Sequence, residues 1–427
     1  MQELRFVAEE QVDVVVCGSG PAGLGAALAA AKLGAQVMLL ESAGLPGGTI
    51  NAVPWMPVNR LKLKGQKRSY AHDILVRHIE ALGPVASEPG CEDVINGDGL
   101  SCHVEYSELA IYEMLDEAGI AYRLFSPVCD VLMDGPRVTG VVVREKRGHV
   151  AYHATVVVDA TGDGDAAAAA GCEFMEGREE DGIHMPITLG FSLGGIDKDV
   201  FFPVPYAQLN KIFDEAHGRG YHIAAWYGFN PGTVPGIVGV NHGAWRGQGL
   251  RLNGLDAGDL TKARRNGLKV AVDLVRVLHD YKVPGAENCF LDKVGNILGV
   301  RDTRRILGEY VQTFEDSQQS QEFSDTVARK YGHIDANQIY IGPMASGYAY
   351  PYRSLVPKRV DGLLVAGRCA SATFMGHSAG KSMGNMMELG EAAGAAAALC
   401  VQRGVQPRAL DVSLLSDVLK TVLDVKI

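Results

Sequence analysis

The pattern of apolar and polar positions near the start of the chain predicts a strand, a helix and a second strand. A mostly apolar run at residues 12–17 is typical of a buried strand. The glycine-rich turn GSGPAG follows it, and the alanine-rich stretch after this turn favours a helix. The apolar residues 37–40 predict the second strand, which ends at the acidic Glu41. This order predicts a βαβ unit and an α/β fold with a parallel sheet.

The same kind of pattern predicts the elements that follow. Residues 51–104 have little periodicity and contain Pro, Gly and His, so we expect an irregular excursion over the active site. Apolar positions at helical spacing predict a helix over 106–118. Short β-runs punctuated by the turns GPR and KRG then predict strands at residues 120–125, 128–133, 138–144 and 150–154. A further apolar strand, residues 155–159, leads into the motif ATGDGD.

The pattern of apolar and polar positions changes in the middle of the chain, and the strand–helix pattern of the first part returns near its end. We predict a helix over residues 260–280, with apolar positions Leu268, Val272, Val275 and Leu278, and a second helix over 302–313. A strand at 363–366 and a long helix at 383–401 resume the opening fold. The prediction is therefore a Rossmann-like domain (1–174 and 341–427) with an inserted α+β substrate domain (175–340).

Composition narrows the function classes. The 427 residues are 47% hydrophobic and carry a net charge of −10, which argues against a nucleic-acid surface. No apolar stretch reaches the roughly 20 residues of a membrane span, and the acidic start does not resemble a signal peptide, so we expect a cytoplasmic protein. The eight cysteines form no CxxC pair, and no metal-ligand motif is present, so neither a redox dithiol nor a metal site is predicted.

The GSGPAG turn has the spacing of a dinucleotide-binding fingerprint. Gly18 permits the tight turn, Gly20 lets the backbone approach a pyrophosphate, and Gly23 lets the helix pack against the strand. Free N–H groups and the helix dipole favour phosphate at this helix N-terminus. Glu41 lies 18 residues beyond Gly23, where an acid accepts from a ribose hydroxyl. The first strand, the helix, the second strand and the acid at its end all match this fingerprint. The sequence therefore predicts a dinucleotide-binding site.

Three further segments make the prediction more specific. They are ESAGLPGGT, VVVDATGDGDAAAAAG and DGLLVAGRC, beginning at Glu41, Val156 and Asp361. With the β-meander before ATGDGD, they resemble the FAD-binding flavoproteins of the glutathione-reductase superfamily, on the fumarate-reductase-like branch. The stretches GVRDTRRILGEYVQTFED, YPYRSLVPK and LLVAGRCASAT resemble the FAD-dependent oxidoreductase family, which includes xanthan-lyase-like flavoproteins. The resemblance covers most of the chain, and it is a poor guide to substrate.

The resemblance implies FAD contacts from both parts of the nucleotide-binding domain. Glu41 would bind the adenosine ribose, Val128 would meet the adenine through its backbone, and Arg368 would approach the ribityl phosphate. The N-terminus of the last long helix would point at the pyrimidine edge of the flavin and stabilise its reduced anion. The implied cofactor-binding residues are Gly18, Gly20, Pro21, Ala22, Gly23, Glu41, Ser42, Gly48, Thr49, Val128, Thr161, Gly162, Asp163, Gly367, Arg368, Gly384 and Asn385.

One segment departs from the family pattern. Where the family is expected to carry arginine, proline and threonine, the stretch HSAGKSMGNMMELGEAAG has Lys381, Gly384 and Asn385. A lysine is a point charge and lacks the planar fork of arginine. Contacts to substrate or flavin are therefore expected to differ here, and no family substrate is carried over.

Four residues are candidates for catalysis: His377, Lys381, Arg305 and Tyr352. His377 lies in the glycine-rich loop expected to face the flavin, where it is either an acid–base group or a loop histidine bonded to backbone. Arg301, Arg304 and Arg305 have helical spacing, which suits either a carboxylate clamp or ion pairs such as Arg305 with Glu309. Tyr352 is either a proton donor or a structural residue that packs and forms a hydrogen bond. His242 is a weaker candidate, and the alternative for it is a structural role in a turn.

A redox enzyme is the leading functional prediction. Flavin N5 would exchange a hydride with a small organic substrate, in a dehydrogenation or in the reduction of C=C or C=O. No second GxGxxG with its own strand and acid is present, so electrons would pass to or from an external partner. No histidine lies close to Gly48 and Thr49, so non-covalent FAD is predicted. The alternatives are a flavin enzyme without net redox change, such as a hydratase or isomerase, and a non-catalytic flavin module. The sequence is compatible with both a monomer and a homo-oligomer.

Overall fold

A computed structural model describes residues 5–52, 54, 57–59, 69–88, 92–93, 97–247, 252–330, 334–336, 339–341, 347–425 and 427. The first part of the chain contains β1 (Phe6–Cys17), α1 (Pro21–Lys32), β2 (Val37–Leu40), α2 (Thr49–Ala52), β3 (Pro57–Asn59), α3 (Tyr70–Ala81), β4 (Ser87–Glu88), β5 (Glu92–Asp93), β6 (Gly97–Cys102), α4 (Val104–Glu117), β7 (Ala121–Arg123), β8 (Val128–Asp134), β9 (Arg137–Glu145), β10 (Gly148–Asp159) and α5 (Asp165–Ala169).

The middle part contains β11 (Phe174–Glu176), β12 (Ile187–Thr188), β13 (Phe191–Gly194), α6 (Lys198–Phe201), α7 (Tyr206–Gly218), β14 (Tyr227–Pro231), β15 (Val238–His242), α8 (Ala257–Asp280), β16 (Phe290–Val294), β17 (Gly299–Val300), β18 (Arg304–Ile306), α9 (Phe314–Gln318), β19 (Thr326–Lys330), β20 (Ile334–Ala336) and β21 (Ile339–Ile341). The last part contains β22 (Tyr348–Pro351), β23 (Leu363–Val365), α10 (Phe374–His377), α11 (Met383–Arg403) and α12 (Val412–Thr421).

A seven-stranded mixed sheet forms the centre of the nucleotide-binding part. Its strand order is β7-β2-β1-β10-β9-β8, with β23 also paired to β10. Strands β7, β2, β1, β10 and β23 are mutually parallel, and the β8–β9–β10 meander is antiparallel. The predicted α/β class, βαβ unit and meander are confirmed. The predicted break between 154 and 155 is wrong, because β10 pairs with β1 continuously from Ala8 opposite Val150 to Cys17 opposite Asp159.

Helices α1 and α11 cross so closely that glycine is required at the contact. A Cβ on Gly390 would lie 1.9 Å from the carbonyl oxygen of Ala22, and one on Gly394 would lie 2.0 Å from that of Ala26. A Cβ on Gly25 would lie 2.1 Å from the Met387 carbonyl oxygen. The alanine-rich helices pack together and, with β1 and β2, form one buried core. The predicted long helix at 383–401 is confirmed, and it ends two residues later.

The middle part of the chain builds a second core around α8. This helix starts at Asp256, whose side chain accepts from the Asp259 N–H, and its buried positions include Val270 and Leu274. It covers a four-stranded sheet of order β14-β15-β13-β16. The predicted helix is confirmed, but the predicted face is partly wrong. Leu268 and Val272 are 38% and 39% exposed, since the predicted set combined positions from two sides of the helix.

Two further predictions of secondary structure are wrong. Residues 302–313 do not form a helix, because 304–306 form strand β18, antiparallel to β11. The nearby α-helix is α9, and a capping box formed by Thr313 and Asp316 lies at its N-terminus. Residues 51–104 are not irregular throughout. Helix α3 lies there, and Leu75 and Ile79 on one face are buried in the core with α4 and α11.

Within the part of the chain that the structure describes, every helix is either too short or too polar to span a bilayer.

Candidate functional site

The first glycine turn is shaped by contacts that exclude larger residues. Gly18 has φ of 93°, and its N–H donates to the Leu40 carbonyl at 2.6 Å. A Cβ on Gly18 would lie 2.5 Å from the Ala160 carbonyl oxygen, and one on Gly23 would lie 1.7 Å from the Gly18 carbonyl oxygen. By contrast, a Cβ on Gly20 would meet no described atom within 4 Å. The turn therefore leaves open space at the middle glycine.

This open space lies at the N-terminus of α1. No side chain among the described residues caps the helix at Gly20, and its first turn, which includes Pro21 and Ala22, contains no acid. The second glycine turn lies against the first, since a Cβ on Gly48 would be 2.8 Å from the Gly20 Cα. Thr49 starts α2. Uncapped N–H groups, a positive dipole end and a backbone without a side chain suit a pyrophosphate.

Glu41 joins the first glycine turn to the end of β2. Its Oε2 accepts from the Ser19 N–H at 2.8 Å and from the Ser19 hydroxyl at 2.7 Å. Its Oε1 accepts from the Ala43 N–H at 2.7 Å and from the Ser42 hydroxyl at 3.1 Å. The carboxylate is thus almost fully bonded within the protein. A ribose hydroxyl can be accepted there when the hydroxyl of Ser19 or Ser42 rotates away, because the two backbone donors are fixed.

The segments around ATGDGD and AGRC are held together by an ion pair. An Oδ1 of Asp163 accepts from the Thr303 hydroxyl at 2.7 Å and lies 2.8 Å from Nη2 of Arg368. The guanidinium lies across Gly162, where a Cβ would approach Nη2 to 3.0 Å, and Gly367 has φ of 88°. Asp163 and Arg368 therefore neutralise each other, and neither acts as an isolated charge towards a ligand.

Two other predicted cofactor residues have structural partners. The Thr161 hydroxyl donates to Asp159 at 2.8 Å and accepts from the N–H of Asp165, the first residue of α5, at 3.0 Å. Val128 is the first residue of β8 and pairs with Val143 at the outer strand of the sheet.

His377 is the last residue of α10 and is buried. Its Nε2 lies 3.1 Å from the Arg301 carbonyl oxygen, which can only accept, so Nε2 carries the proton and donates. Burial, then the charges of Lys381, Arg305 and Lys330, hold the pKa of His377 well below its ordinary value. The imidazole is therefore neutral at physiological pH, with the lone pair on Nδ1.

Arg305 fixes the start of the same loop. Its guanidinium is fully buried, donates from Nε to the Ala372 carbonyl at 3.0 Å and from Nη2 to the Gly177 carbonyl at 2.7 Å, and lies 5.7 Å from the Phe374 ring centroid. Because β18 is a strand, Arg304 points the other way and pairs with Asp165 at 3.0 Å. The expectation that the arginines share a helix face is therefore wrong.

The end of the loop approaches the middle part of the chain. The Lys381 Nζ lies 2.7 Å from the Met185 sulfur. Asn385 is buried in the first turn of α11, one residue after Gly384, and its amide donates to the Gly380 carbonyl at 3.1 Å. The structure thus brings His377, Lys381 and Arg305 together around one loop, residues 372–381.

Tyr352 does not belong to this group. Its hydroxyl donates to the Pro407 carbonyl at 2.9 Å, and its ring lies in the core near Cys400, at the opposite end of α11. His242 has a carbonyl oxygen at each ring nitrogen, from Gly243 at 2.6 Å and Leu189 at 2.7 Å. These contacts favour a structural role for both residues.

Sequence reasoning missed Lys330 at the end of β19. Its side chain is buried, its Nζ donates to the Ala379 carbonyl at 3.0 Å, and it lies 4.8 Å from the Tyr350 ring centroid. Burial lowers the pKa of Lys330 to about 7. No local signal distinguishes this lysine, because its burial depends on β22 and on the loop before α11.

A buried polar cluster beside Arg305 was also missed. His184 Nδ1 lies 3.4 Å from Asp302 Oδ2, and the other Asp302 oxygen accepts from the Met185 N–H at 2.5 Å. The neighbouring carboxylate of Asp302 raises the pKa of His184. His184 and Asp302 thus join the Met185 backbone to the chain segment that carries Arg305. Among the described residues, no group of three or more His, Cys, Asp or Glu side chains is placed to hold a metal ion.

Comparison with solved structures finds proteins of a similar fold at low sequence identity. A geranylgeranyl bacteriochlorophyll reductase-like protein from Thermoplasma acidophilum aligns with TM-score 0.52 and 14% identity, over 97% of this chain and 84% of that chain. The flavin-dependent brominase Bmp2 aligns with TM-score 0.50 and 15% identity, over 96% and 83%. The anhydrotetracycline hydroxylase OxyS from Streptomyces rimosus aligns with TM-score 0.50 and 12% identity, over 97% and 67%.

Comparison with curated proteins gives no significant match. The family model "FAD dependent oxidoreductase" matches residues 13–419, from β1 to the last turns of α12. This match includes the open glycine turn, the ion-paired ATGDGD and AGRC segments and the loop before α11. The chain belongs to the FAD dependent oxidoreductase family.

Proposed function

We propose that the protein transfers a hydride between FAD and a small organic substrate, either dehydrogenating it or reducing an activated C=C or C=O. The observation that carries the proposal is the loop before α11, where the neutral His377 lies among the charges of Lys381, Arg305 and Lys330. A cationic, water-poor environment favours the negative charge that develops during such a reaction. In this proposal, electrons pass to or from an external partner.

The cofactor roles follow from the site residues, and FAD supplies the two-electron chemistry when bound. The pyrophosphate would lie over Gly20 at the α1 N-terminus, with Gly48 and Thr49 beside it. Glu41 would hold the adenosine ribose with the help of Ser42. Asp163 and Arg368 would flank the ribityl chain as a neutral pair. The first turn of α11, with Gly384 and Asn385, would face the ring. We propose that this binding is non-covalent.

In this proposal, side chains of the protein orient the substrate and accept or donate its proton. His377 would accept a hydrogen bond or proton at Nδ1, because Nε2 is committed to the Arg301 carbonyl. Lys381 would donate to a polar group of the substrate. Arg305 would hold the loop through the Ala372 carbonyl without touching substrate, since it is fully buried. The middle part, residues 175–340, would form the substrate domain, and Tyr352 would have no catalytic role.

One anaerobic experiment tests the reaction class. Purified protein is reduced chemically, candidate unsaturated and carbonyl compounds are added, and the flavin absorbance is followed. We expect substrate-linked reoxidation, slowed in His377→Gln and unchanged in the matched control His217→Gln, whose histidine is exposed on α7. Turnover with the flavin left reduced would instead show a hydratase or isomerase. A protein without releasable FAD would contradict the proposal.

A further inference from the structure

Lys330 occupies an unusual position beneath the loop of residues 372–381. It is the last residue of β19, pairs with Tyr348 of β22 and is 3% exposed. Its Nζ donates to the Ala379 carbonyl at 3.0 Å. Ala379 lies two residues after His377 and two residues before Lys381. The ammonium group is therefore joined to the backbone between the two candidate catalytic side chains.

Among the described residues, no carboxylate forms an ion pair with Lys330, and burial lowers the pKa of its ammonium group. Its other contact is the face of the Tyr350 ring on β22, 4.8 Å away. On α11, Glu388 accepts from the Arg329 N–H, one residue earlier in the strand. A buried charge without a counter-ion is costly, and an apolar residue of similar shape would avoid that cost.

The charge of Lys330 is one of three positive charges that lower the pKa of His377, and it acts from behind the loop. The groups whose charges bear on His377 are Lys381 from the loop, Arg305 from β18 and Lys330 from β19. All three are cations. Arg305 already has Glu179 at 3.4 Å and Asp302 at 3.8 Å, so part of its charge is balanced. Lys330 lacks such a balance, and its protonation changes the field at His377.

We propose that Lys330 is a positioning residue of this site, which holds the loop through the Ala379 carbonyl and places a titratable charge behind His377. The inference rests on the proposed function in one respect, namely that His377 works as a neutral imidazole. Below about pH 7 the ammonium form donates a charge-assisted hydrogen bond to the carbonyl and opposes protonation of His377. Above that pH the neutral amine holds the loop more weakly.

The test compares wild-type holoenzyme with Lys330→Met and Lys330→Arg from pH 4 to pH 9, a range that extends well below the ordinary pKa of histidine. Hydrogen exchange of the peptide that covers residues 374–381 reports the loop, and selective ¹³C-histidine labelling reports His377, assigned with His377→Gln. In the wild type we expect loop protection to fall roughly tenfold as pH rises through about 7. Lys330→Arg should keep the low-pH protection at every pH, and Lys330→Met should show the high-pH value throughout. Lys211→Met and Lys211→Arg, on the exposed face of α7, are matched controls.

The His377 signal gives a second readout that a merely structural lysine would not move. Its pKa should rise in Lys330→Met and stay low in Lys330→Arg. Equal loop exchange and equal His377 titration in all three proteins would overturn the inference. If Lys330→Met does not fold, the wild-type step near pH 7 and its absence in Lys330→Arg still decide the matter. Neither readout needs turnover, so a protein that shows the step without redox activity would refute the proposed function alone.

Discussion

Replacement of Gly20 by alanine separates cofactor binding from folding. A Cβ at this position meets no described atom within 4 Å, and Gly20 does not have a positive φ, so the cofactor-free fold accommodates a methyl group. We expect the free energy of unfolding of the apoprotein to change by less than about 1 kcal/mol. The neighbouring Gly23→Ala behaves differently, because its Cβ would lie 1.7 Å from the Gly18 carbonyl oxygen.

The methyl group would occupy the space that the pyrophosphate needs. An added methylene in a closely packed site costs about 1–3 kcal/mol. If the same cost applies here, the dissociation constant of FAD rises by roughly 5- to 150-fold. Quenching of flavin fluorescence during titration of apoprotein measures this constant, and urea unfolding of the same apoprotein measures stability.

A matched control is available in the same chain. Gly218, the last residue of α7, also has open space at its Cβ, and it lies in the middle part of the chain. Gly218→Ala should leave both FAD affinity and stability unchanged. If Gly20→Ala bound FAD as tightly as the wild type, the pyrophosphate could not lie over this turn, and the assignment of the glycine fingerprint would be refuted.

Three further predictions concern stability and the role of single side chains. Gly390→Ala should lower the free energy of unfolding, measured with urea, by about 1–3 kcal/mol, because its Cβ would lie 1.9 Å from the Ala22 carbonyl oxygen. An unchanged unfolding midpoint would show that α1 and α11 can move apart without an energetic cost. Tyr352→Phe should cost about 1–2 kcal/mol through the lost bond to Pro407 and leave flavin reoxidation unaffected, whereas loss of reoxidation with an intact fold would make Tyr352 catalytic. The pKa of Lys330 is about 7 in the fold against 10.5 for a free lysine, so the unfolded chain binds more protons between these values, and this residue makes stability rise with pH across that window. The stability of Lys330→Met relative to wild type should accordingly be highest below pH 7 and fall by on the order of 5 kcal/mol by pH 10.5; a pH-independent difference in unfolding free energy would contradict this.

The nucleotide-binding part was predictable because its determinants are contiguous. The strand, the glycine turn, the helix and Glu41 lie within about 30 residues, and Gly18 and Gly23 each have a steric reason that the spacing alone indicates. The spacing did not indicate that the Glu41 carboxylate accepts hydrogen bonds from groups of the protein itself. Its four donors come from Ser19, Ser42 and Ala43, and the pattern of serines beside a glycine turn is too common to predict them.

The segment around Arg305 was mispredicted because a distant strand decides its conformation. Helical spacing of charged residues favours a helix only when no partner competes, and here β11, which lies about 130 residues earlier, pairs with residues 304–306. The pairing places Arg304 and Arg305 on opposite sides, so one reaches Asp165 and the other is buried. No periodicity within the segment contains that information.

The site of the proposed chemistry is assembled from distant parts of the chain, and this explains why it was only half predictable. The loop of residues 372–381 carries His377 and Lys381, which the sequence singled out. Three groups from other elements hold the loop: the Arg301 carbonyl, the Arg305 guanidinium and the Lys330 ammonium. The Arg301 carbonyl fixes which nitrogen of His377 bears the proton, and the charges of Arg305 and Lys330 oppose protonation of the ring. A change in one of these holders should therefore alter the protonation of His377 without touching substrate, whereas a change in the glycine turn should alter FAD affinity without altering that protonation.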